Sequence, residues 1–470
     1  AGSLVQSSAK SGQTLVGYAK GFVKIFEAFR KYGIDSDAVH GLCMQLAFFI
    51  LGADPISAEE RIEIRDVLKS YLYDLKPLTP NKTRDEDTCR MFYNVPREVI
   101  LNPENPYDNP YVKSMQSGAL SLMKILSDNR DTDYGKMYSF DTIKTIDAYR
   151  FRVPLCDIYS IKPLIKLQTN IGEKNIMTSS LVTDYFITDS GELLPNTDEH
   201  FSQYLKALGE TLSNKKSLFL TSWKDDKFVS NDGVLAGRFE QILVMKFLTV
   251  YLDRHKFLNV NLTSNRGKYF AYKGDDLYRM LLVDALIDRD VEQIVAINTV
   301  HIAKAFEYLD NNTDGILEEI SRTDKERAAE LEKIFKEGFG EDTLKRIWPS
   351  LDRTIGYGSG ELKKYTDVMK KYTGSLPHNH GYYYTELALL GKAVEDESDL
   401  FVGLNNNNFY ELMSLRKGEN KDEVIALSEA EENGLYQLII TNAAGIYRCV
   451  SDHIIYCRKT DFSGVYFTIY

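Results

Sequence analysis

From Tyr134 onward the chain alternates helical stretches with short β-branched or aromatic runs, at 217–220, 293–297 and 437–441 among others. No other feature limits the fold so strongly. A helix must bury one apolar stripe and a strand one apolar face, so elements in this order settle as sheets covered by helices. The expected class is therefore α/β, with mixed sheets and flanking helices. At 470 residues the chain exceeds one ordinary core, and two or three subdomains are expected.

The region before this alternation reads differently. Between residue 12 and about residue 75 apolar side chains recur at helical spacing, as at Phe22, Ile25, Phe26 and Phe29, which predicts a helical N-terminal extension over 1–75. Pro77, Pro80, Pro96, Pro103, Pro106 and Pro110 then discourage a continuing helix. This stretch, 76–133, is expected to connect the extension to the α/β body at 134–470.

Charge and cysteine usage exclude several function classes. The net charge of -11 argues against a nucleic-acid backbone as partner, because phosphate binding draws on clustered Lys and Arg. The longest apolar run, 42–51, is interrupted by Gln45 and falls short of the roughly 20 residues needed to cross a bilayer. A buried helix is expected there, and no membrane partner. Five scattered cysteines form neither a disulfide framework nor a zinc-ligand spacing, and the first residues carry no signal-peptide pattern. The expectation is a reducing, cytoplasmic setting.

Several short segments carry candidate chemistry, each with a structural alternative. Asp310, Asn312, Asp314 and Gly315 match the first half of a calcium loop, yet Ser321 stands where a bidentate Glu is required, which favours a turn between helices. His378 and His380 offer two imidazoles without a third ligand nearby, so a polar loop is the better reading. Gly356, Gly358 and Gly360 allow backbone to approach a ligand closely and line an adenine or acyl pocket, or else make a tight turn. Tyr382, Tyr383 and Tyr384 read as a half-buried strand, but Thr385 and Glu386 follow at once. The segment from Gly445 to Asp452 follows the apolar run Leu438, Ile439, Ile440 and ends on an acid. Adenylation of a carboxylic acid needs such groups: a flat side chain for adenine, a hydroxyl for the α-phosphate, one carboxylate for Mg²⁺ and another for ribose.

Taken in order, these residues resemble the auxin-responsive Gretchen Hagen family of acyl-acid amido synthetases, a branch of the adenylate-forming enzymes. The similarity runs from about Tyr134 to Tyr470. It passes through Arg150, Phe151, Arg152, Val153, Pro154 and Asp157, through the helical stretch from His301 to Leu309, and through Ile347, Trp348, Pro349, Ser350 and Leu351. Tyr365, Tyr372, Leu376 and Pro377 continue it. The family pattern Y-x-x-[ST]-E is met by Tyr382, Thr385 and Glu386. The resemblance implies that Tyr382 packs on adenine, that Thr385 contacts phosphate during catalysis, and that catalytic Glu386 holds Mg²⁺. The pattern G-L-x-R-Y-R-x-G-D is met in part, at Gly445, Ile446, Arg448 and Asp452. It implies that Tyr447 and Arg448 line the nucleotide and that Asp452 binds ribose, alongside Gly358, Ser359 and Gly360. Cys449 replaces an aromatic residue, Ser451 replaces a glycine, and the second arginine is missing.

The resemblance also assigns a phosphate loop, where Thr188, Ser190 and Gly191 would face ATP. It is several residues shorter than the family's and has no lysine before Leu193, Leu194 and Pro195. Backbone N–H groups cradle phosphate in such loops, and without the cation the developing charge is less compensated. The family's smaller C-terminal domain is expected to be absent from this chain. The implied function is ATP- and Mg²⁺-dependent activation of a small carboxylic acid as its acyl-adenylate, for conjugation to an amine or amino acid. The competing reading, favoured by the short loop, is a non-catalytic relative that binds a nucleotide, a small acid or a protein.

Overall fold

The computed structural model describes residues 15–32, 63, 66–67 and 110–470, apart from 172–173, 189, 224–226, 256–257, 395–398, 405–406, 416–423 and 462–463. The chain divides into two compact units, residues 1–116 with 461–464, and residues 117–460 with 465–470. In the first, the helical spacing read from the sequence corresponds to a helix over Leu15–Tyr32. The apolar run at 42–51 and most of the proline-rich stretch lie outside the described residues.

The second unit is mixed α/β. A five-stranded parallel sheet runs Asn261–Leu262, Lys216–Phe219, Gln293–Asn298, Arg353–Tyr357, His378–Asn379. Its Gln293–Asn298 strand is an unbroken apolar run between polar ends and is almost wholly buried, as a strand covered on both faces must be. Trp348 is fully buried beside this sheet, its Nε1 donating to the carbonyls of Ala285 (2.8 Å) and Asp288 (3.0 Å). The direction in which strands are added to the sheet reverses between two neighbouring, parallel strands. From Lys216–Phe219 the chain crosses to the Asn261–Leu262 edge, then returns to Gln293–Asn298 on the opposite side. Such a reversal opens a crevice at the carboxyl ends of the two strands.

An eight-stranded sheet runs Tyr382–Tyr384, Leu389–Ala393, Phe401–Gly403, Gly464–Ile469, Cys449–Asp461, Leu435–Asn442, Asn408–Ser414, Val424–Ala426. A four-stranded sheet contains the hairpin of Val182–Ile187 and Leu193–Thr197, with Leu235–Gly237 parallel to the first strand of that hairpin. The half calcium loop proves to join two helices, Thr299–Asn311 and Thr313–Ser321, and the Asp310 carboxylate is engaged by Lys371 at 2.9 Å. Among the described residues no helix is long and apolar enough to cross a membrane.

Candidate functional site

The segment around Gly445–Asp452 is anchored from within. Gly445 adopts a φ of +95°, and a Cβ there would lie 2.9 Å from the Met177 carbonyl, so only glycine fits. The Tyr447 ring is fully buried and stacked on Tyr134 with centroids 4.8 Å apart, and its hydroxyl donates to Met177 O at 2.7 Å. Arg448 sits at a φ of +47° with its guanidinium inward. Its Nη1 donates to the carbonyls of Arg150 (2.9 Å) and Val153 (2.8 Å), and its Nε donates to Glu411 at 3.0 Å. Arg150 reaches the same fully buried carboxylate at 3.1 Å. The Arg150–Val153 segment and the third motif thus form one scaffold, closed by a backbone bridge between Cys156 and Cys449. The side chains of Tyr447 and Arg448 are occupied inside the protein, whereas Asp452, four residues on, is exposed.

The aromatic strand is built similarly. Tyr382 and Tyr383 are buried, the first hydroxyl bonded to Glu210 and the second to His453 Nδ1. Thr385 closes a turn: its Oγ1 donates to Ala388 O at 2.9 Å and accepts from the Ala388 N–H at 2.9 Å. Its carbonyl accepts from Tyr204 Oη at 3.1 Å. This turn fixes Glu386, which is half-buried. Neither Glu386 nor Asp452 makes a hydrogen bond or ion pair among the described residues, yet both act on His453. Burial holds the His453 imidazole below its ordinary pKa, against the opposite pull of these two carboxylates. Two carboxylates without a hydrogen bond or ion pair among the described residues, beside the half-buried imidazole of His453, form the centre of the candidate site.

The glycine-rich turn borders it through Tyr357, whose ring lies 4.8 Å from that of Tyr383. Gly358 donates its N–H to His380 Nδ1 at 3.1 Å and accepts at its carbonyl from Thr366 Oγ1 at 2.9 Å. Any Cβ there would overlap Thr366 and Thr299. Ser359 is buried, and its Oγ has no partner among the described residues. Gly360 completes the turn at a φ of +59°. His380 is thereby a structural acceptor, and burial lowers its pKa.

The short loop after Val182–Ile187 closes on itself. The Thr188 N–H donates to Glu192 O (2.9 Å), the Gly191 N–H to Thr188 O (2.9 Å) and the Glu192 N–H to Thr188 Oγ1 (3.0 Å). Ser190, exposed, shares a hydrogen bond with the Thr188 hydroxyl at 2.9 Å. Cations missing from the loop arrive from elsewhere in the chain. The exposed Arg238 donates Nη1 to Thr188 O at 3.2 Å, and Lys162 pairs with Glu192. The loop borders a cleft of about 300 Å³ that Lys162 and Lys166 line.

Phe239 brings the loop to the aromatic strand. Its ring lies 5.2 Å from Phe186, 5.3 Å from Tyr204 and 6.3 Å from Tyr384. Thr188, Thr385, Glu386, Gly358 and Asp452 are therefore linked through one aromatic and imidazole framework. Sequence reasoning did not find Arg238, Lys162, Tyr204 or His453. Only His453 left a local signal, as the residue after Asp452. Magnesium takes one or two carboxylates together with phosphate oxygens, and Glu386 fits that role. Among the described residues no group of three or more His, Cys, Asp or Glu is placed to hold a metal alone.

Residues 110–378 match the GH3 family N-terminal domain and residues 401–461 the GH3 family central domain. The first match alone spans more than half of the chain, and the chain belongs to the GH3 family, the Gretchen Hagen family of the motifs. Its curated relatives are named amido synthetases or ligases. It is 20% identical to the indole-3-acetic acid-amido synthetase GH3.2 of Arabidopsis thaliana over 376 residues, 70% of this chain and 68% of that protein. It is 21% identical to the jasmonoyl-L-amino acid synthetase GH3.5 of Oryza sativa subsp. japonica, covering 70% and 65%. The solved GH3.15 acyl acid amido synthetase shares the fold, with a TM-score of 0.65 at 17% identity over 76% of this chain and 68% of that one. The curated relatives are matched over only 61 to 68% of their length.

Proposed function

We propose that this protein activates a small carboxylic acid with ATP and passes the acyl group to an amine or amino acid, as the names of its relatives describe for them. The observation that carries this reading is the pair of free carboxylates, Glu386 and Asp452, beside His453. In the first step a carboxylate oxygen of the acid attacks the α-phosphorus, the bond to the β-phosphate oxygen breaks, and pyrophosphate leaves. The amine nitrogen then attacks the acyl carbon, losing a proton as AMP departs.

Glu386 would hold Mg²⁺, which when bound would offset charge on the phosphate oxygens. Asp452 accepts from the ribose hydroxyls. Thr385 acts by locking the turn that aims Glu386, and Tyr382 and the backbone of Gly358, Ser359 and Gly360 border the adenine. Thr188, Ser190 and Gly191 face phosphate, with Arg238 supplying the positive charge that the loop lacks. Tyr447 and Arg448 support the site from behind. Free thiols at Cys156, Cys449 and Cys457 agree with a reducing, cytoplasmic setting.

One observation favours a second reading, a non-catalytic binder: the Thr188 turn engages the N–H groups of Thr188, Gly191 and Glu192 within itself. Pyrophosphate exchange with a panel of small acids separates the two. Exchange that depends on Mg²⁺ supports the enzyme; ATP binding without exchange for any acid supports the binder.

A further inference from the structure

We propose that Cys156 and Cys449 are a site of reversible oxidation, closing to a disulfide under hydrogen peroxide and clamping the scaffold that carries Asp452. Neither thiol takes part in the proposed adenylation. The two residues come from distant parts of the chain, one just before the helix Ile158–Ile171 and the other at the head of the strand Cys449–Asp461. They face each other across a parallel bridge, in which the Cys156 N–H donates to Arg448 O at 3.1 Å and the Val450 N–H donates to Cys156 O at 2.8 Å. Backbones paired in this way lie about 4.8 Å apart, within the roughly 4.4–6.8 Å that separates the Cα atoms of a disulfide. Here the two thiols also share a hydrogen bond.

The two sulfurs are not equivalent. Cys449 is fully buried, whereas Cys156 is half-buried and partly open to solvent. The hydrogen bond from the Cys449 thiol holds the Cys156 thiol below its ordinary pKa, and the Arg448 guanidinium adds to this, against the upward push of burial and of the Asp157 carboxylate. The same hydrogen bond, together with burial, pushes the Cys449 thiol up. Cys156 is therefore the attacking sulfur and Cys449 the resolving one.

The Cys156 thiolate attacks one peroxide oxygen, the O–O bond breaks, and the departing hydroxide takes up the proton that the thiol released, leaving water and a sulfenic acid on Cys156. Cys449 Sγ then attacks Cys156 Sγ, the S–O bond breaks, and the hydroxide leaves with the Cys449 proton as a second water. The pair of thiols is oxidised by two electrons, and one peroxide is reduced to two waters. Exchange with a thiol reductant reverses the step. In a reducing compartment such a pair rests as thiols and oxidises only transiently. On oxidation Cys156 gives up the bond it donates to Tyr447 O at 3.1 Å, and the covalent link takes over in holding the third motif against the segment after Val153.

Peroxide treatment of the full chain, followed by alkylation and mass spectrometry of an unreduced digest, tests this. The peptides of Cys156 and Cys449 are expected joined, and parted again by dithiothreitol, with the link forming at least about tenfold faster than in the urea-unfolded chain because the fold holds the sulfurs together. In Cys449→Ser, Cys156 stops at a sulfenic acid that dimedone traps; in Cys156→Ser, Cys449 stays a thiol. Either variant alone tests the division of roles, so misfolding of one leaves the other. The urea midpoint of the oxidised chain rises and returns on reduction. A link between other cysteines instead, formation no faster than in urea, or an intact link with an unmoved or lowered midpoint overturns the proposal.

Discussion

The turn from Thr188 to Glu192 and the turn at Thr385–Glu386 use the same device to opposite ends. In both, a threonine hydroxyl bonds the backbone a few residues on. At Thr385 this frees a carboxylate, since Glu386 emerges without a hydrogen bond or ion pair among the described residues. At Thr188 it leaves less to offer a phosphate, because the N–H groups of Thr188, Gly191 and Glu192 are taken up within the loop. The proposed metal-binding side of the site is thus carried by local sequence, while the proposed charge-compensating side depends on Arg238 and Lys162 from distant segments.

The largest expected effect tests the support behind this contrast. Arg448→Ala strips one of two arginines from the fully buried Glu411 and should destabilise the protein by about 3–5 kcal/mol, measured by urea unfolding. If stability holds and ATP affinity falls instead, the guanidinium belongs to the nucleotide. Glu386→Gln should lower pyrophosphate exchange by about a hundredfold or more with little change in melting temperature, because the carboxylate anchors nothing in the fold. A large loss of stability in that variant would make Glu386 structural.

Arg238→Ala should reduce kcat for exchange by roughly tenfold or more, and Arg238→Lys should restore much of it. If Lys fails to rescue while the melting temperature drops, the arginine serves only to pin the Thr188 carbonyl. Asp452→Ala should weaken ATP binding by about tenfold, in line with roughly 1.5–3 kcal/mol for a hydrogen bond to a charged group. Unchanged calorimetric affinity would remove Asp452 from the site.

A different kind of effect is on pH. Burial pushes His200 down to about 3, and its ring bonds Tyr204, the residue that holds Thr385. The folded state binds fewer protons here than the unfolded state, so stability should fall as pH drops from about 6.5 towards about 3, by roughly 1.4 kcal/mol per unit. His200→Gln should flatten that slope in pH-dependent unfolding.

Much of the fold was legible. The runs at 217–220, 293–297 and 437–441 are strands, displaced by no more than two residues at either end, because unbroken apolar stretches of that length suit a covered sheet. Motif order identified the family because Tyr382, Thr385, Glu386 and Asp452 lie in short, contiguous segments. Tyr447 and Arg448 share that contiguity, yet their side chains turn inward. Nothing local distinguishes a ring stacked on Tyr134 from one stacked on adenine. Arg238 and Glu240 carried no signal, since their partners, Thr188, Thr221, Asn298 and His301, lie from 19 to 61 positions away in the chain.

Sequence by itself determined the alternation of elements, the acidic balance that disfavours nucleic acid, and the presence of two carboxylates at motif positions. These are properties of composition and near neighbours, set by periodicity and residue type. Tertiary structure decided which of those groups remain free, where positive charge returns to a loop without lysine, and which polar side chains gather around Glu240 beyond two neighbouring strands. Such outcomes depend on which distant donors and acceptors meet once the backbone is folded, and a buried group's role is settled by the partner that reaches it first.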